Sequence, residues 1–239
     1  MNEIETVPED GESLSVPKVS PAEALNILQW AYYDGQYILD QERNDVLKNY
    51  LLNCHGLGSD PRVCMVTLWC ADNKDISDVM ERIRKRFGSK KIRRTAPKML
   101  WAIEHKPNVP EGESGRHYHL LIGWNYHDTR LRYIQRLFGE MQEQGFFQPS
   151  RKGRRAWEVS TSRTTGNPYY RLKLWDELRE AYNHLAYICK IDEQADGLEQ
   201  GQRRFSGSRL RKLYREMGPK DLLLPRPPHP NDPQDNFPF

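Results

Sequence analysis

The sequence predicts an α+β domain: an antiparallel sheet with helices packed on one face. Three observations predict it. Short runs rich in strand formers alternate with segments whose apolar residues recur at spacings of three and four. From Val63 onward the order of these segments is strand, helix, strand, strand, helix, strand, which is the ferredoxin-like arrangement. The second and third strands are separated by a linker of about ten residues containing prolines and glycines, which reads as a β-hairpin with a long loop.

Taken in order, residues 1–19 open the chain with Glu3, Glu5, Glu9, Asp10 and Glu12 among prolines and read as a disordered acidic segment. Ser20-Pro21-Ala22-Glu23 then supplies an N-cap, a proline at the first helical position and a capping-box glutamate, so a helix starts there. A second helix spans about Gln41 to Cys54, with Val46, Leu47, Tyr50 and Leu51 on one side, and stops at the glycine-rich stretch Gly56 to Asp60. Residues 20–60 thus form an N-terminal helical layer.

The principal domain runs over residues 61–216. Val63 to Trp69 is its first strand, and Ile76 to Phe87 a helix with Ile76, Val79, Met80, Ile83 and Phe87 on its apolar side, stopped by Gly88. Met99 to His105 and His117 to Trp124 are the hairpin strands. A helix follows from the N-cap Asp128 through Leu131, Ile134, Leu137, Phe138 and Met141 to Gly145. A strand near Trp157 to Ser160 and a helix from Trp175 to Ile191 complete the set. A basic helical segment lies beyond Gln202, and residues 217–239 form a proline-rich tail, extended and unpacked.

Composition narrows the function. The 37% hydrophobic and 10% aromatic residues suffice for a packed core. No apolar run approaches the roughly 20 residues needed to cross a bilayer, and the acidic start lacks both the basic and the apolar parts of a signal peptide, so the expectation is a cytoplasmic protein with no membrane role. Cys54, Cys64, Cys70 and Cys189 are too scattered for a zinc module or a disulfide scaffold and read as free thiols. The net charge is only +3, but its sign segregates. Basic residues concentrate in Arg82 to Lys98, Arg151 to Arg155 and Arg203 to Arg215, and three such segments point to nucleic-acid phosphate, although any one alone also reads as a solvated helix face.

The sharpest chemical signal is Arg116-His117-Tyr118-His119-Leu120-Leu121-Ile122. Side chains two apart on a strand share a face, so both imidazoles point one way while Tyr118, Leu120 and Ile122 point the other. Two imidazoles on a rigid strand are preorganised ligands for a divalent metal; the triplet alone reads equally as two solvated histidines. Antiparallel pairing of the preceding strand, Trp101-Ala102-Ile103-Glu104, brings Glu104 beside them. Two histidines and a carboxylate with open positions suit Mn²⁺ or Mg²⁺ handling phosphate. Taken singly, Glu104 also reads as an exposed strand glutamate paired with Lys106 or Arg116, and His105 should face the opposite side.

On the helix from Trp175, Leu178, Ala181, Leu185 and Ile188 define the buried stripe. Tyr187 falls off it, sharing a polar strip with Asn183 and Lys190. A phenol of pKa about 10 is a poor nucleophile at neutral pH, and a neighbouring cation such as Lys190 stabilises its anion. An ordinary amphipathic tyrosine beside a solvated lysine is the competing description.

Glu104, the His117-Tyr118-His119 strand and the Tyr187-Ile188-Cys189-Lys190 helix resemble the three motifs of the HUH endonuclease superfamily with a single catalytic tyrosine. More closely, from about Val63 to Arg209, the chain resembles the inovirus-type replication initiators, the YagK/YfjJ C-terminal domain family. These have a Trp-x-x-Glu strand, a His-Tyr-His strand, a Tyr-x-x-Lys helix and a short Phe, Gly and Ser element. That last element reads Phe205-Ser206-Gly207-Ser208-Arg209 here, a slightly different order.

The resemblance implies an HUH-type fold in which Glu104, His117 and His119 hold the metal and Tyr187 attacks a scissile phosphate. It implies a 5′-phosphotyrosine intermediate on single-stranded or hairpin origin DNA, and initiation of rolling-circle replication of a phage or plasmid. No glycine-rich phosphate loop ending in Lys-Ser or Lys-Thr is present, so unwinding calls for a separate helicase, and synthesis for a polymerase. A transposase using the same chemistry is an alternative, as is a DNA- or RNA-binding regulator without turnover. Tyr118, Tyr182, Tyr169 and Tyr170 are reserve tyrosines.

Overall fold

The computed structural model describes residues 18–31, 33–71, 74–87, 97–105, 116–125, 131–148, 155–190 and 205–207. The acidic opening before residue 18, the 106–115 linker, the Asp128 cap, the proline-rich tail and most of the second and third basic segments lie outside the described residues.

Among the described residues there are five α-helices, α1 (Pro21–Trp30), α2 (Gln41–His55), α3 (Ile76–Phe87), α4 (Leu131–Glu143) and α5 (Trp175–Leu185). The strands are β1 (Pro61–Leu68), β2 (Lys98–His105), β3 (Arg116–Asn125), β4 (Trp157–Val159), β5 (Tyr170–Arg171) and β6 (Phe205–Gly207). None of the helices is long and apolar enough to cross a membrane. The four cysteines are free and buried.

Local signals set the N-terminal helices. The Glu23 amide donates to Ser20 Oγ at 3.3 Å and the Ser20 amide to Glu23 Oε2 at 2.7 Å, closing the expected capping box. Asp40 caps α2 by accepting the Arg43 amide at 2.9 Å, and Gly56 ends it.

The strands form one antiparallel sheet in the order β4-β1-β3-β2-β6. The outer edge of β1 is shared: β4 pairs with Val66 to Leu68 and β5 with Arg62 and Val63. The expected hairpin is present, with eight residues of β2 running from Lys98 opposite Gly123 to His105 opposite Arg116. β6, the Phe-Ser-Gly element, extends the sheet beside Leu100, Trp101 and Ala102, so residues 205–207 are a strand and not part of the helical segment expected beyond Gln202, the free edge of β2 pairing with them. A Cβ on Gly207 would lie 2.5 Å from the Met99 carbonyl oxygen, so only glycine allows that close approach.

The helices cover both faces of the sheet, not one. α3 and α4 bury Ile76, Val79, Met80, Ile83, Ile134, Leu137, Phe138 and Met141 against Cys64, Val66, Leu68, Trp101, Leu120 and Ile122. On the other face α1, α2 and α5 bury Leu28, Leu47, Leu51, Leu178, Ala181 and Leu185 against Val63, Met65, Leu100, Ala102 and Leu121. The physical reason lies in β1 and β3. Their inner residues are apolar at consecutive positions instead of alternating with polar ones, which is how a strand buried on both faces reads. Gly123 makes room for α2, since a Cβ there would sit 2.2 Å from Cys54 Sγ.

The last helix also departs from expectation. α5 ends at Leu185 and tightens into a 3₁₀ turn over Ala186–Cys189, so Tyr187 does not lie on the α-helix.

Candidate metal centre

The site grows out of the β2–β3 register. Glu104 stands directly opposite His117, and the small Ala102 stands opposite His119, leaving the Glu104 side chain free to reach diagonally to the second imidazole. The three side chains project toward the face carrying α1, α2 and α5, and all are buried. Glu104 Oε2 lies 3.0 Å from His119 Nε2 and 3.3 Å from His117 Nε2. One donor atom from each of the three lies within 4.8 Å of the others.

The 3₁₀ turn closes the group from above. Its three residues per turn place positions 187 and 190 one over the other, where an α-helix would offset them. Tyr187 Oη donates to Glu104 Oε2 at 2.9 Å, and Lys190 Nζ donates to Glu104 Oε1 at 2.7 Å and to Tyr187 Oη at 2.9 Å. Buried Ile188 and Cys189 anchor the turn from within. From outside, the Asp40 amide donates to the Cys189 carbonyl at 2.8 Å, Leu39 bridges to Lys190, and the Arg43 guanidinium reaches the Lys190 carbonyl at 3.4 Å.

Two side chains of and beyond β1 orient the imidazoles. Thr67 is paired opposite His119, with Thr67 Oγ1 3.2 Å from His119 Nδ1. Nε2 is thereby the nitrogen turned toward Glu104: in the neutral ring Nε2–H donates to the carboxylate and Nδ1 accepts from the Thr67 hydroxyl, and metal binding would call for the other tautomer, with Nδ1–H donating to Thr67. The Trp69 ring stacks on His117 with centroids 5.9 Å apart and planes 23° from parallel.

Electrostatics bind the five groups together. Burial pushes the Glu104 carboxyl up, but hydrogen bonds from His117, His119 and Lys190 outweigh it and hold the acid well below the usual carboxylate range. Burial likewise lowers the His119 imidazole, keeping it neutral, against the opposing pull of Glu104. Tyr187 was expected to be made more acidic by Lys190. Instead burial pushes its phenol up to about 12, with the Lys190 hydrogen bond opposing and the Glu104 charge adding to the rise. The physical reason is that removing the phenol from water disfavours its anion by more than the Lys190 ammonium stabilises it, and the Glu104 carboxylate acts against that ammonium.

All five predicted site residues, Glu104, His117, His119, Tyr187 and Lys190, therefore converge, and the two-histidine, one-carboxylate donor set fits a metal ion. Asn183 does not join them: the tightening of the chain after Leu185 rotates Tyr187 off its strip, and Asn183 Oδ1 is buried without a hydrogen-bond partner among the described residues. The His105 side chain lies outside the described residues.

The reserve tyrosines are engaged elsewhere. Tyr118 points to the opposite core and donates to Asp75 Oδ1 at 3.3 Å, Tyr182 donates to Asn44 Oδ1 at 3.0 Å, Tyr170 bonds His184, and Tyr169 lies beneath Arg62. Along the first basic segment, Lys85 pairs with Glu81, Arg86 with Glu140 and Arg82 with Gln144 on the solvent side of α3 and α4. Thr67, Trp69 and Tyr37 complete the surroundings of the site without having been singled out in the sequence. The alternation that puts Thr67 on the face of Val63 and Met65 was readable, but its histidine partner depended on cross-strand register.

No protein-family model, no curated protein and no solved structure matches the chain.

Proposed function

We propose that the chain is a metal-dependent endonuclease and strand transferase that nicks single-stranded DNA through a 5′-phosphotyrosine intermediate. It would be of the HUH type, akin to inovirus-type replication initiators, and would start rolling-circle replication of a phage or plasmid with a separate helicase and polymerase. The ferredoxin-like reading of the β4-β1-β3-β2 order agrees with that assignment. The observation that carries the proposal is a single shared atom: Glu104 Oε2 lies 2.9 Å from Tyr187 Oη and 3.0 and 3.3 Å from the histidine nitrogens. A nucleophilic oxygen and a metal-ligand set thus meet at one point.

Glu104, His117 and His119 would hold Mn²⁺ or Mg²⁺, which when bound polarises a scissile phosphate. Tyr187 Oη then forms the bond to phosphorus as the phosphorus–O3′ bond breaks. The phenolic proton is lost, the 3′ oxygen gains one, and the phosphodiester is exchanged instead of hydrolysed. Lys190, 2.9 Å from Tyr187 Oη, counters the charge that develops on the phenolic oxygen and on the phosphate. Thr67 and Trp69 keep the imidazoles aimed while this happens. Reversal by a 3′ hydroxyl rejoins the strand.

The test is a denaturing gel of protein incubated with labelled single-stranded DNA and Mn²⁺ or Mg²⁺. A covalent adduct that needs metal and vanishes in Tyr187→Phe and His119→Ala is the expected result. An adduct that survives Tyr187→Phe assigns the nucleophile elsewhere. Binding without any adduct would favour a DNA-binding regulator.

A further inference from the structure

The connector between α1 and α2 runs directly past the tyrosine of the site. Tyr37 is 41% exposed, yet its ring centroid lies 5.4 Å from that of Tyr187 at an interplanar angle of 78°. Lys190 Nζ lies beside both rings, 4.4 Å from the Tyr187 centroid and 5.3 Å from the Tyr37 centroid. This is not a chance approach of a loose loop. Two and three residues further on, Leu39 bridges to Lys190 and the Asp40 amide donates to the Cys189 carbonyl, so connector and nucleophile turn are joined backbone to backbone. At the start of the connector the Tyr33 ring folds over Gly35, where a Cβ would lie 2.1 Å from ring atoms, so that Tyr33 is drawn inward and Tyr37 stays on the surface. Burial, with the neighbouring Tyr37 and Asp34, raises the Tyr33 phenol, and Lys190 and Arg163 oppose that rise.

We infer that this connector is a stacking subsite for single-stranded DNA, in which the exposed face of Tyr37 receives the base of the nucleotide next to the scissile phosphate. The inference rests on the strand-transfer reading above and names how that site takes its substrate. A base whose phosphate is at Tyr187 Oη is tethered within one nucleotide of the nucleophile, and Tyr37 is the exposed ring that touches Tyr187. Lys190 supplies charge for the backbone, while the ring accepts any base because every base offers a π-face. The neighbouring Ile38, 74% exposed, widens the apolar surface beside it.

The experiment measures anisotropy of a fluorescein-labelled oligothymidylate about 20 nucleotides long, enough to span a site of this kind. The full chain carries Tyr187→Phe to prevent turnover, alone and combined with Tyr37→Ala, Tyr37→Phe or Tyr37→Trp. Tyr37→Ala should weaken binding roughly tenfold or more, Tyr37→Phe should bind as the parent does, and the Tyr37→Trp fluorescence should be quenched as the strand binds. An abasic strand of the same length should bind the parent and the Tyr37→Ala protein alike. Equal binding of parent and Tyr37→Ala to the base-containing strand, no binding at all, or an unquenched Tyr37→Trp would overturn the inference. The adduct gel separates it from the reading beneath it: an adduct with Tyr37-independent binding removes the stacking subsite alone, whereas Tyr37-dependent binding with no adduct removes the covalent chemistry and leaves the subsite standing.

Discussion

Thr67 shows how much a residue with no chemistry of its own contributes to the site. Its hydroxyl fixes the His119 ring and decides which nitrogen faces Glu104, and outer partners of this kind govern metal affinity by about 10- to 100-fold. Thr67→Val keeps the β-branched shape and removes only the oxygen, so Mn²⁺ affinity measured by calorimetric titration should fall within that range while the far-ultraviolet circular dichroism spectrum is unchanged; unchanged affinity would mean that packing alone orients the ring. Lys190 presents the complementary case. Its ammonium balances the buried Glu104 carboxylate, and removing one member of a buried ion pair strands the other at a cost of about 3–5 kcal/mol. Lys190→Met should therefore destabilise the fold in urea by an amount of that order, and the double variant Lys190→Met, Glu104→Gln should recover part of the loss. Additive losses would argue that the two groups are independently solvated.

At the scale of elements, α2 and β3 meet through one glycine. A Cβ on Gly123 would fall 2.2 Å from Cys54 Sγ, 3.1 Å from Cys54 Cβ and 3.3 Å from Tyr50 Oη. Gly123→Ala should cost about 1–3 kcal/mol by overpacking, and Cys54→Ala should relieve most of that penalty because it removes the closest atom; denaturant unfolding of the four members of the cycle measures the coupling. The same helix anchors α5 through a buried hydrogen bond from Tyr182 to Asn44. Tyr182→Phe leaves that acceptor unpaired and should cost about 1–3 kcal/mol. An effect of a few tenths would indicate that water replaces the hydroxyl.

Across the whole molecule, the N-terminal layer and the α5 region are joined at His55. Its Nε2–H donates to the Val19 carbonyl at 3.0 Å, and its Nδ1 accepts from Lys173 Nζ at 3.4 Å, an arrangement that only the neutral ring can make. Burial, helped by the Lys173 charge, pushes the imidazole down to about 4, although the bond to Val19 opposes this. The unfolded chain therefore binds a proton near pH 6.5 that the folded chain refuses until about pH 4, so stability contributed by the neutral ring is lost as pH falls through that window. Midpoint temperatures recorded from pH 7 down to pH 4 should decline less steeply for His55→Gln than for the parent. Parallel slopes would place the acid sensitivity in other groups.

Most of the elements, and the five side chains that converge beside Glu104, were legible in the sequence. Period-two and period-three-to-four patterns, the capping box at Ser20 and the glycine stops located β1 to β4 and most of each helix, because those signals are local and act within a turn or a few residues, whereas β5 and β6 are too short to carry a pattern. The spacing His117-Tyr118-His119 fixed two imidazoles on one face, and Glu104 near the end of the partner strand was bound to meet them once the hairpin closed. That helices cover both faces, that α5 gives way to a 3₁₀ turn which stacks Tyr187 over Lys190, and that Thr67, Trp69 and Tyr37 surround them emerges from the packed fold. The reason is range. Which face α5 chooses, how its last turn tightens against the connector, and which side chains meet across strands are set by contacts between residues some 50 to 150 positions apart, as in Thr67 with His119 or Arg43 with Lys190, and no local pattern encodes those pairings.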